Sequence, residues 1–269
     1  MLKFGIHDFI NAQPILASLK AMRDWIKLDI YTGNPAHLSD KLNQGELDFA
    51  MIPSIEYLKE ADRVRLFPGI SIASRNEVGT VLLVSKYPLA TLKTLAIDNR
   101  SRTSVALLKL LFKDELSPSL KWMDYDPDPE KMLREHDAAL IIGDPALGFK
   151  KEETTIYDLS EEWFQRTGKT FVHAVIAVRE GVVIDERIVE IFRVAKQEGL
   201  MKIATIARAQ ARHTGFPESM LVDYLKNKIR YNLGAEELDG LSFFQSLCKS
   251  AGLIDKKIPF EFAYEEGEV

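Results

Sequence analysis

The chain has 269 residues, which is enough for one large domain or for two lobes with separate cores. Apolar residues make up 46% and charged residues 28%, as in an ordinary globular protein. The formal net charge of −5 argues against a dedicated nucleic-acid-binding protein, because such proteins carry a concentrated basic face.

The N-terminus and the single cysteine exclude further classes of protein. Cys248 has no second cysteine with which to form a disulfide or a metal cluster. The first apolar run reaches His7 and Asp8 too soon for a signal peptide, and no segment is long and apolar enough to cross a bilayer. Motifs for a nucleotide site, a metal site or a serine hydrolase are missing. We therefore expect a cytoplasmic protein with no cofactor, metal, nucleic-acid or membrane partner, and a disordered acidic tail at 265–268.

The first part of the chain alternates between predicted strands and helices. Three strands are predicted, at 2–6, 26–31 and 47–52, and each precedes a helix that opens at Pro14, Pro35 or Pro53. Such alternation is typical of parallel βαβ units, whose ligand sites lie beyond the carboxyl ends of the strands. Asn11 and Ser54 both follow predicted strands, and we therefore expect them to share one cleft.

Two further strands are predicted at 70–74 and 78–85, and the alternation starts afresh after Pro88. Beyond Pro88, strands are predicted at 94–97, 120–123, 138–142 and 171–178, with helices at 101–112 and 129–136. From Val183 onward the pattern is almost wholly helical.

This order favours an α/β protein with a two-lobed, periplasmic-binding-protein-like (type II) fold and a ligand cleft between the lobes. The chain is expected to cross between lobes near Ser85 and near His173, so that 1–85 plus 174–269 form lobe 1 and 86–173 form lobe 2. A single doubly wound domain with a helical appendage is the competing architecture. The middle section favours two lobes because it is a complete α/β unit of its own.

The stretch from Ile97 to Phe112 predicts a strand end, a turn, and a helix that begins near Ser101. The first turn of that helix holds three hydroxyls and a guanidinium beside backbone N–H groups that have no partner inside the helix. Such a helix end, placed after a strand, is suited to bind a carboxylate or a phosphate. Taken alone, the stretch slightly favours the simpler interpretation, in which Ser101 only caps the helix.

Polar residues at the other strand-to-helix turns also have structural explanations. Asp144 suits an N-cap, Glu56 suits the positive end of a helix dipole, and Asn11 suits a turn. Several such turns facing one cleft nevertheless favour a ligand with two carboxylates. His7 is either a proton carrier or a strand-end residue in contact with water, and a lone histidine in an apolar strand, such as His173, is more often a core residue.

Several motifs follow one another along nearly the whole chain: Phe9-Ile10-Asn11-Ala12-Gln13-Pro14, Asp48-Phe49-Ala50-Met51-Ile52-Pro53-Ser54-Ile55-Glu56-Tyr57, Ser101-Arg102-Thr103-Ser104, Ile141-Ile142-Gly143-Asp144 and Tyr231-Asn232-Leu233-Gly234. With these motifs the chain resembles the chorismate dehydratase family of the futalosine route to menaquinone. Two positions depart from that family's pattern. Thr80 stands where a serine is common, within a segment that usually reads Gly-Pro-Val, and His173 stands where an aromatic residue is frequent.

The resemblance implies a carbon–oxygen lyase (hydro-lyase) that converts chorismate to 3-[(1-carboxyvinyl)oxy]benzoate and water. Aromatisation drives this reaction, so the enzyme mainly orients the ring and manages one proton and one leaving hydroxyl. The ring carboxylate acidifies the ring proton through the diene, and helix N-termini can stabilise the negative charge that develops.

The resemblance also implies a set of substrate-binding residues: Ser54, Glu56, Thr80, Ser101, Thr103, Ser104, Asp144 and His173. The hydroxyls and N–H groups at the start of the 101–112 helix are expected to hold one carboxylate, while Ser54 and Thr80 help to hold the other. Asn11 is the predicted catalytic residue beside the reacting carbons. Glu56 and Asp144 are the matched carboxylates available as a base; alternatively the substrate's own enolpyruvyl carboxylate takes the proton, with Asn11 holding it.

Other functions stay open on the sequence alone. Dihydroxynaphthoate synthase of the same pathway shares the fold but acts on a much larger cyclic futalosine derivative, and the Asn11 and Ser101–Ser104 signatures favour the dehydratase. A non-catalytic solute receptor needs export or a lipid anchor, and a ligand-sensing regulator needs a DNA-binding segment. The sequence shows a signal for neither.

Overall fold

The computed structural model describes residues 1–23 and 26–264, and the predicted acidic tail lies outside them. Its strands are β1 (Leu2–Ile6), β2 (Leu28–Thr32), β3 (Phe49–Pro53), β4 (Val64–Ser74), β5 (Val81–Ser85), β6 (Thr94–Asp98), β7 (Lys121–Tyr125), β8 (Ala138–Ile142), β9 (Thr155–Asp158) and β10 (Phe171–Arg179). Its helices are α1 (Gln13–Ala21), α2 (Pro35–Asn43), α3 (Ser54–Lys59), α4 (Thr103–Leu111), α5 (Pro129–Glu135), α6 (Leu159–Thr167), α7 (Glu186–Met201), α8 (Ile203–Thr214), α9 (Glu218–Asp223) and α10 (Ala235–Ser250). Across this described part, no helix has the length and apolar character needed to cross a membrane.

The strands form two five-stranded sheets built on the same plan. In the first sheet, of order β2-β1-β3-β10-β4, β1 runs parallel to both of its neighbours, and β10 lies antiparallel between β3 and β4. In the second, of order β7-β6-β8-β5-β9, β6 runs parallel to both of its neighbours, and β5 lies antiparallel between β8 and β9. Two separate sheets confirm the two-lobed α/β fold and exclude the single doubly wound domain.

The first crossing between the sheets comes earlier than predicted. Val81–Ser85 belongs to the second sheet, where it pairs with β8 and β9, so the chain leaves the first sheet after Ser74 rather than near Ser85. These five residues are all buried, and such a run suits a central strand of either sheet. The return crossing ends before Phe171, since β10 already lies in the first sheet. We propose lobe boundaries at these crossings, between Ser74 and Val81 and just before Phe171.

Helix α7, from the C-terminal third of the chain, packs beneath the first sheet. The Phe192 ring meets the edge of Phe4 with 4.8 Å between ring centroids and lies 4.9 Å from Phe67. Such buried aromatic pairs contribute about 0.5–1.5 kcal/mol beyond the area that they bury. Helix α7 approaches α1 so closely that a Cβ built on Gly199 falls 2.0 Å from the Pro14 carbonyl oxygen. Only glycine fits at that position.

Candidate functional site

A cavity lies between the two sheets, at the carboxyl ends of parallel strands from both. Its walls include the segments that follow β1 and β3 of the first sheet and those that follow β6 and β8 of the second. Ligands bind at this end of α/β sheets because helix N-termini and polar turn residues converge there. The polar residues that line the cavity are His7, Asn11, Thr80, Arg100, Ser101, Arg102, Thr103, Ser104 and His173.

Most of the site residues predicted from the sequence line this cavity: Asn11, Thr80, Ser101, Thr103, Ser104 and His173. Ser54, Glu56 and Asp144 do not belong to the lining. Ser54 and Asp144 directly follow lining residues, and Glu56 pairs with a lining arginine. The structure thus brings six of the predicted side chains to one surface and places the other three behind it.

The start of α4 forms one wall of the cavity. No side chain caps this helix, so its first backbone N–H groups keep free hydrogen-bonding capacity. The Ser101 hydroxyl is buried and has no hydrogen-bond partner within the described part of the chain. The Thr103 hydroxyl accepts a hydrogen bond from the Ile55 N–H at 3.3 Å, which joins the second lobe to α3 of the first. An uncapped helix start with unpartnered N–H and hydroxyl groups is chemically suited to bind an anion.

Two guanidinium groups add positive charge to the same wall. Arg100 donates two hydrogen bonds to the Asp98 carboxylate, at 2.9 and 2.6 Å, and its guanidinium stacks over the Phe9 ring at 5.2 Å. Arg102 reaches the first lobe, where it donates to Glu56 at 2.9 Å and to Asp40 at 3.1 Å. Both guanidinium groups are already paired with carboxylates behind the wall, so the cavity surface offers an anion mainly hydrogen-bond donors, with no carboxylate among the described lining residues.

The predicted carboxylates support this wall from outside the cavity. Glu56 is only 5% exposed and forms ion pairs with Lys59 at 2.8 Å and with Arg102. Asp144 accepts a hydrogen bond from the Ile10 N–H at 3.0 Å across the two lobes, and burial raises its pKa to about 6. The Ser54 hydroxyl is fully buried at the start of α3 and, over the described residues, has no partner. No group of three His, Cys, Asp or Glu side chains in 1–23 and 26–264 is arranged to hold a metal ion.

Asn11 and His7 lie on the segment that follows β1 and line the same cavity. Asn11 sits in a single turn of 3-10 helix, Ile10–Ala12, and its side-chain oxygen is buried without a partner in the part of the chain that the structure describes. His7 is 3% exposed, and its Nδ1 is likewise without a partner there. Buried polar atoms are nearly always hydrogen-bonded in native proteins, so unsatisfied atoms that share one cavity indicate a ligand site.

The C-terminal helices complete the wall around Thr80. The Thr80 hydroxyl lies 3.0 Å from the hydroxyl of Tyr224, which belongs to a π-helical turn, Tyr224–Lys228, directly after α9. Such turns are frequent at functional sites. Burial raises the pKa of Tyr224, so its phenol stays protonated and available as a hydrogen-bond donor. Behind Thr80, the Asp158 carboxylate accepts hydrogen bonds from the N–H groups of Val78 and Gly79.

His173 reaches the cavity because β10 bulges at this residue. Val172 pairs with Ala73 and Ala174 with Ile72, which leaves His173 without a partner on β4. A bulge re-aims a side chain in this way and is common beside active sites. The His173 Nε2 lies 2.6 Å from the Ser74 hydroxyl, and burial lowers the pKa of the imidazole to about 4. His173 is therefore neutral near neutral pH.

His173→Phe is expected to reduce the loss of unfolding free energy that accompanies a fall in pH from about 7 to 5. The unfolded chain binds a proton at His173 below about pH 6.5, whereas the native chain binds it only near pH 4, so stability is lost as the pH falls between these values. The loss of unfolding free energy that His173 causes is up to about 2 kcal/mol between about pH 7 and pH 5. The free energy of unfolding in urea, measured at both pH values, tests the expectation.

The matched control for His173→Phe is His37→Phe, since His37 is exposed on α2. Asp144 and Asp158 act in the opposite sense, because burial raises the pKa of each to about 6. The comparison is therefore made between variant and wild type at each pH. If wild type and His173→Phe lost the same unfolding free energy on acidification, the lowered pKa of His173 would be contradicted.

The geometry adds four residues that were not among the sequence predictions for the site: Arg100, Arg102, His7 and Tyr224. Arg100 directly precedes the Ser101–Ser104 segment, but its contact with Phe9 was not visible in the sequence. His7 was noted as a polar residue at a strand end, which was the signal for it. Nothing in the local pattern around Tyr224 linked that residue to Thr80, because 144 residues separate the two.

Solved structures of other proteins share this fold. A protein from Archaeoglobus fulgidus superposes with a TM-score of 0.74 at 18% sequence identity, over 94% of this chain and 98% of its own. The periplasmic aliphatic sulphonate binding protein of Escherichia coli superposes with a TM-score of 0.63 at 16% identity, over 100% of this chain and 95% of its own. These likenesses confirm the periplasmic-binding-protein-like architecture and concern the fold alone.

Similarity of sequence gives a closer relation. The chorismate dehydratase of Thermus thermophilus is 32% identical over 259 residues, a match that covers 89% of this chain and 94% of that protein. The sequence pattern of the family described as menaquinone biosynthesis matches residues 2–250. The two-lobed fold and these matches agree, and the chain belongs to the menaquinone biosynthesis family.

Proposed function

We infer that this chain is a chorismate dehydratase, a hydro-lyase that converts chorismate to 3-[(1-carboxyvinyl)oxy]benzoate and water. The observation that carries this conclusion is the 32% identity to the Thermus thermophilus chorismate dehydratase over 89% of the chain. The cavity supports it, because its lining offers hydroxyls, an uncapped helix start and guanidinium groups, with no carboxylate among the described lining residues. Such a lining suits a small molecule with two negative charges. As a biosynthetic enzyme, the protein is proposed to act in the cytoplasm.

One substrate carboxylate is proposed to bind at the start of α4. Ser101 and Ser104 offer hydroxyls there, beside the free backbone N–H groups of the first helical turn. Arg100 adds charge, although its guanidinium is already shared with Asp98. Thr103 is proposed to have a double role, because its hydroxyl also accepts the Ile55 N–H from the other lobe.

The other carboxylate is proposed to bind near Thr80 and Asn11. Tyr224 lies within hydrogen-bond distance of the Thr80 hydroxyl and holds it in place. Ser54 is proposed to support this region indirectly, since its hydroxyl is fully buried and does not line the cavity. Glu56 and Asp144 are likewise proposed to hold the walls together through Arg102 and Ile10.

This arrangement favours the substrate itself as the proton acceptor. Glu56 and Asp144 both have partners and do not line the cavity, so neither is well placed to remove the ring proton. We propose that the enolpyruvyl carboxylate takes this proton while Asn11 holds the carboxylate in position. The negative charge then passes through the diene to the ring carboxylate, where the start of α4 stabilises it, and the hydroxyl leaves.

The direct test is incubation of the purified protein with chorismate. We expect loss of the diene absorbance and the appearance of one product with the chromatographic mobility of 3-[(1-carboxyvinyl)oxy]benzoate. Chorismate binding without any product would instead favour a non-catalytic receptor. Turnover of a cyclic futalosine derivative, with chorismate left unchanged, would favour dihydroxynaphthoate synthase.

A further inference from the structure

His7 is a buried histidine at the cavity wall to which the steps above give no role. Its side chain lies directly after β1, four residues before Asn11, and is 3% exposed. The ring packs against Phe9, with 5.2 Å between ring centroids and an angle of 49° between the planes. This contact orients the imidazole, but its Nδ1 finds no hydrogen-bond partner anywhere in residues 1–23 and 26–264.

The charge of His7 differs from that of the two arginines before and at the start of α4. Burial lowers the pKa of His7 to about 4, so the imidazole is neutral near neutral pH. A neutral imidazole has one N–H donor and one acceptor nitrogen, and it does not balance the charge of a carboxylate. The start of α4 is far better suited to one carboxylate, and the groups near Thr80 and Asn11 are proposed to take the other. His7 therefore matches an uncharged polar group of the ligand.

Chorismate has one uncharged group that both donates and accepts hydrogen bonds, the ring hydroxyl that is lost in the reaction. We propose that His7 contacts this hydroxyl as a further catalytic residue and donates a hydrogen bond to its oxygen as it leaves. The inference rests on the proposed function. Asn11, whose side-chain oxygen is also unsatisfied among the described residues, is the acceptor available to the same hydroxyl.

The proposed step balances without a further reactant. The C–O bond breaks and the hydroxyl oxygen takes the electron pair, while the ring becomes aromatic. The proton removed earlier from the ring, held on the enolpyruvyl carboxylate, completes the water molecule. His7 keeps its own proton throughout and lowers the barrier by stabilising the charge that develops on the leaving oxygen. A neutral imidazole serves as such a donor in other enzymes.

His7→Phe keeps a planar ring against Phe9 and removes both ring nitrogens, which makes it the appropriate variant. We expect kcat with chorismate to fall about 100-fold, as on removal of one donor to a developing oxyanion. The affinity for the product, 3-[(1-carboxyvinyl)oxy]benzoate, is expected to stay unchanged, because the product has both carboxylates but no ring hydroxyl. Stopped assays of diene loss and calorimetric titration with the product measure the two quantities.

Two further variants make the result specific to the hydrogen bond. His7→Gln retains an N–H donor and should have a kcat between those of wild type and His7→Phe. His213→Phe is the matched control at an exposed histidine on α8, and it should behave as wild type. An unchanged kcat in His7→Phe would overturn the inference, as would equal losses of kcat and product affinity in both His7 variants. A wild-type protein that leaves chorismate unchanged would overturn the proposed function, and this inference with it.

Discussion

Asn11→Ala is expected to lower kcat with chorismate by about 100-fold or more, with a smaller change in KM. The Asn11 side-chain oxygen is buried at the cavity, and no described residue satisfies it. The N–H group of the same side-chain amide is proposed to donate to the enolpyruvyl carboxylate and to hold it in the position from which it removes the ring proton. Alanine leaves the anion site on α4 intact, so binding is retained while the reacting groups lose their alignment. Steady-state kinetics followed by diene absorbance separate the two parameters.

Asn11→Asp tests the same role through charge. A carboxylate at this position faces a doubly negative substrate, so KM is expected to rise in addition to the fall in kcat. Asn227→Ala is the matched control, because Asn227 is exposed in the turn after α9 and bonds only locally, to Asp223. Full turnover by Asn11→Ala, with normal substrate affinity, would remove Asn11 from the mechanism.

Replacing both Thr103 and Ser104 by alanine is expected to raise KM for chorismate at least about 10-fold, because a hydrogen bond to a charged group contributes about 1.5–3 kcal/mol. Both side chains line the cavity at the uncapped start of α4. The backbone N–H groups remain in the double variant, so weakened binding rather than its abolition is the minimum expected effect. Calorimetric titration with the product gives the affinity independently of turnover.

Single variants of Thr103 separate its proposed role in substrate binding from its contact between the two lobes. The Thr103 hydroxyl accepts the Ile55 N–H, so Thr103→Ala also loses a contact between α4 and α3. Thr103→Ser keeps that acceptor and should restore the affinity that Thr103→Ala loses. Ser119→Ala, at an exposed serine before β7, is the control for a lost hydroxyl elsewhere. Unchanged kinetics in the double variant would refute the anion site.

Much of the fold follows from local patterns. The predicted strands 2–6 and 138–142 coincide with β1 and β8, because alternation or continuous burial over a few residues specifies an extended segment. The structure extends the strand predicted at 70–74 back to Val64. Pro68 and Gly69 interrupt its pattern, and these residues are normally signs of a turn.

The cavity was also partly visible in the sequence. Asn11 follows β1 of the first sheet and Ser101–Ser104 follow β6 of the second, so their convergence was predictable only from the two-lobed fold, in which the cleft lies between the lobes. Glu56 and Asp144 are also polar residues at strand-to-helix turns, but they lie behind the cavity wall. The sequence does not distinguish the two cases, since a carboxylate that binds a ligand and one that holds a wall occupy the same kind of turn.

Local composition was therefore sufficient to specify the strands, the helix starts and the polar turns, because each depends on interactions among residues a few positions apart. The tertiary structure alone decided which sheet received Val81–Ser85 and which polar groups were left unsatisfied at the cavity. These outcomes depend on contacts between distant residues, such as the bond from the Ile10 N–H to Asp144 across 134 positions and the pairing of Arg102 with Glu56. No short window of sequence contains both partners of such a contact, so the roles of Asp144, Glu56 and His7 emerge only when the lobes come together.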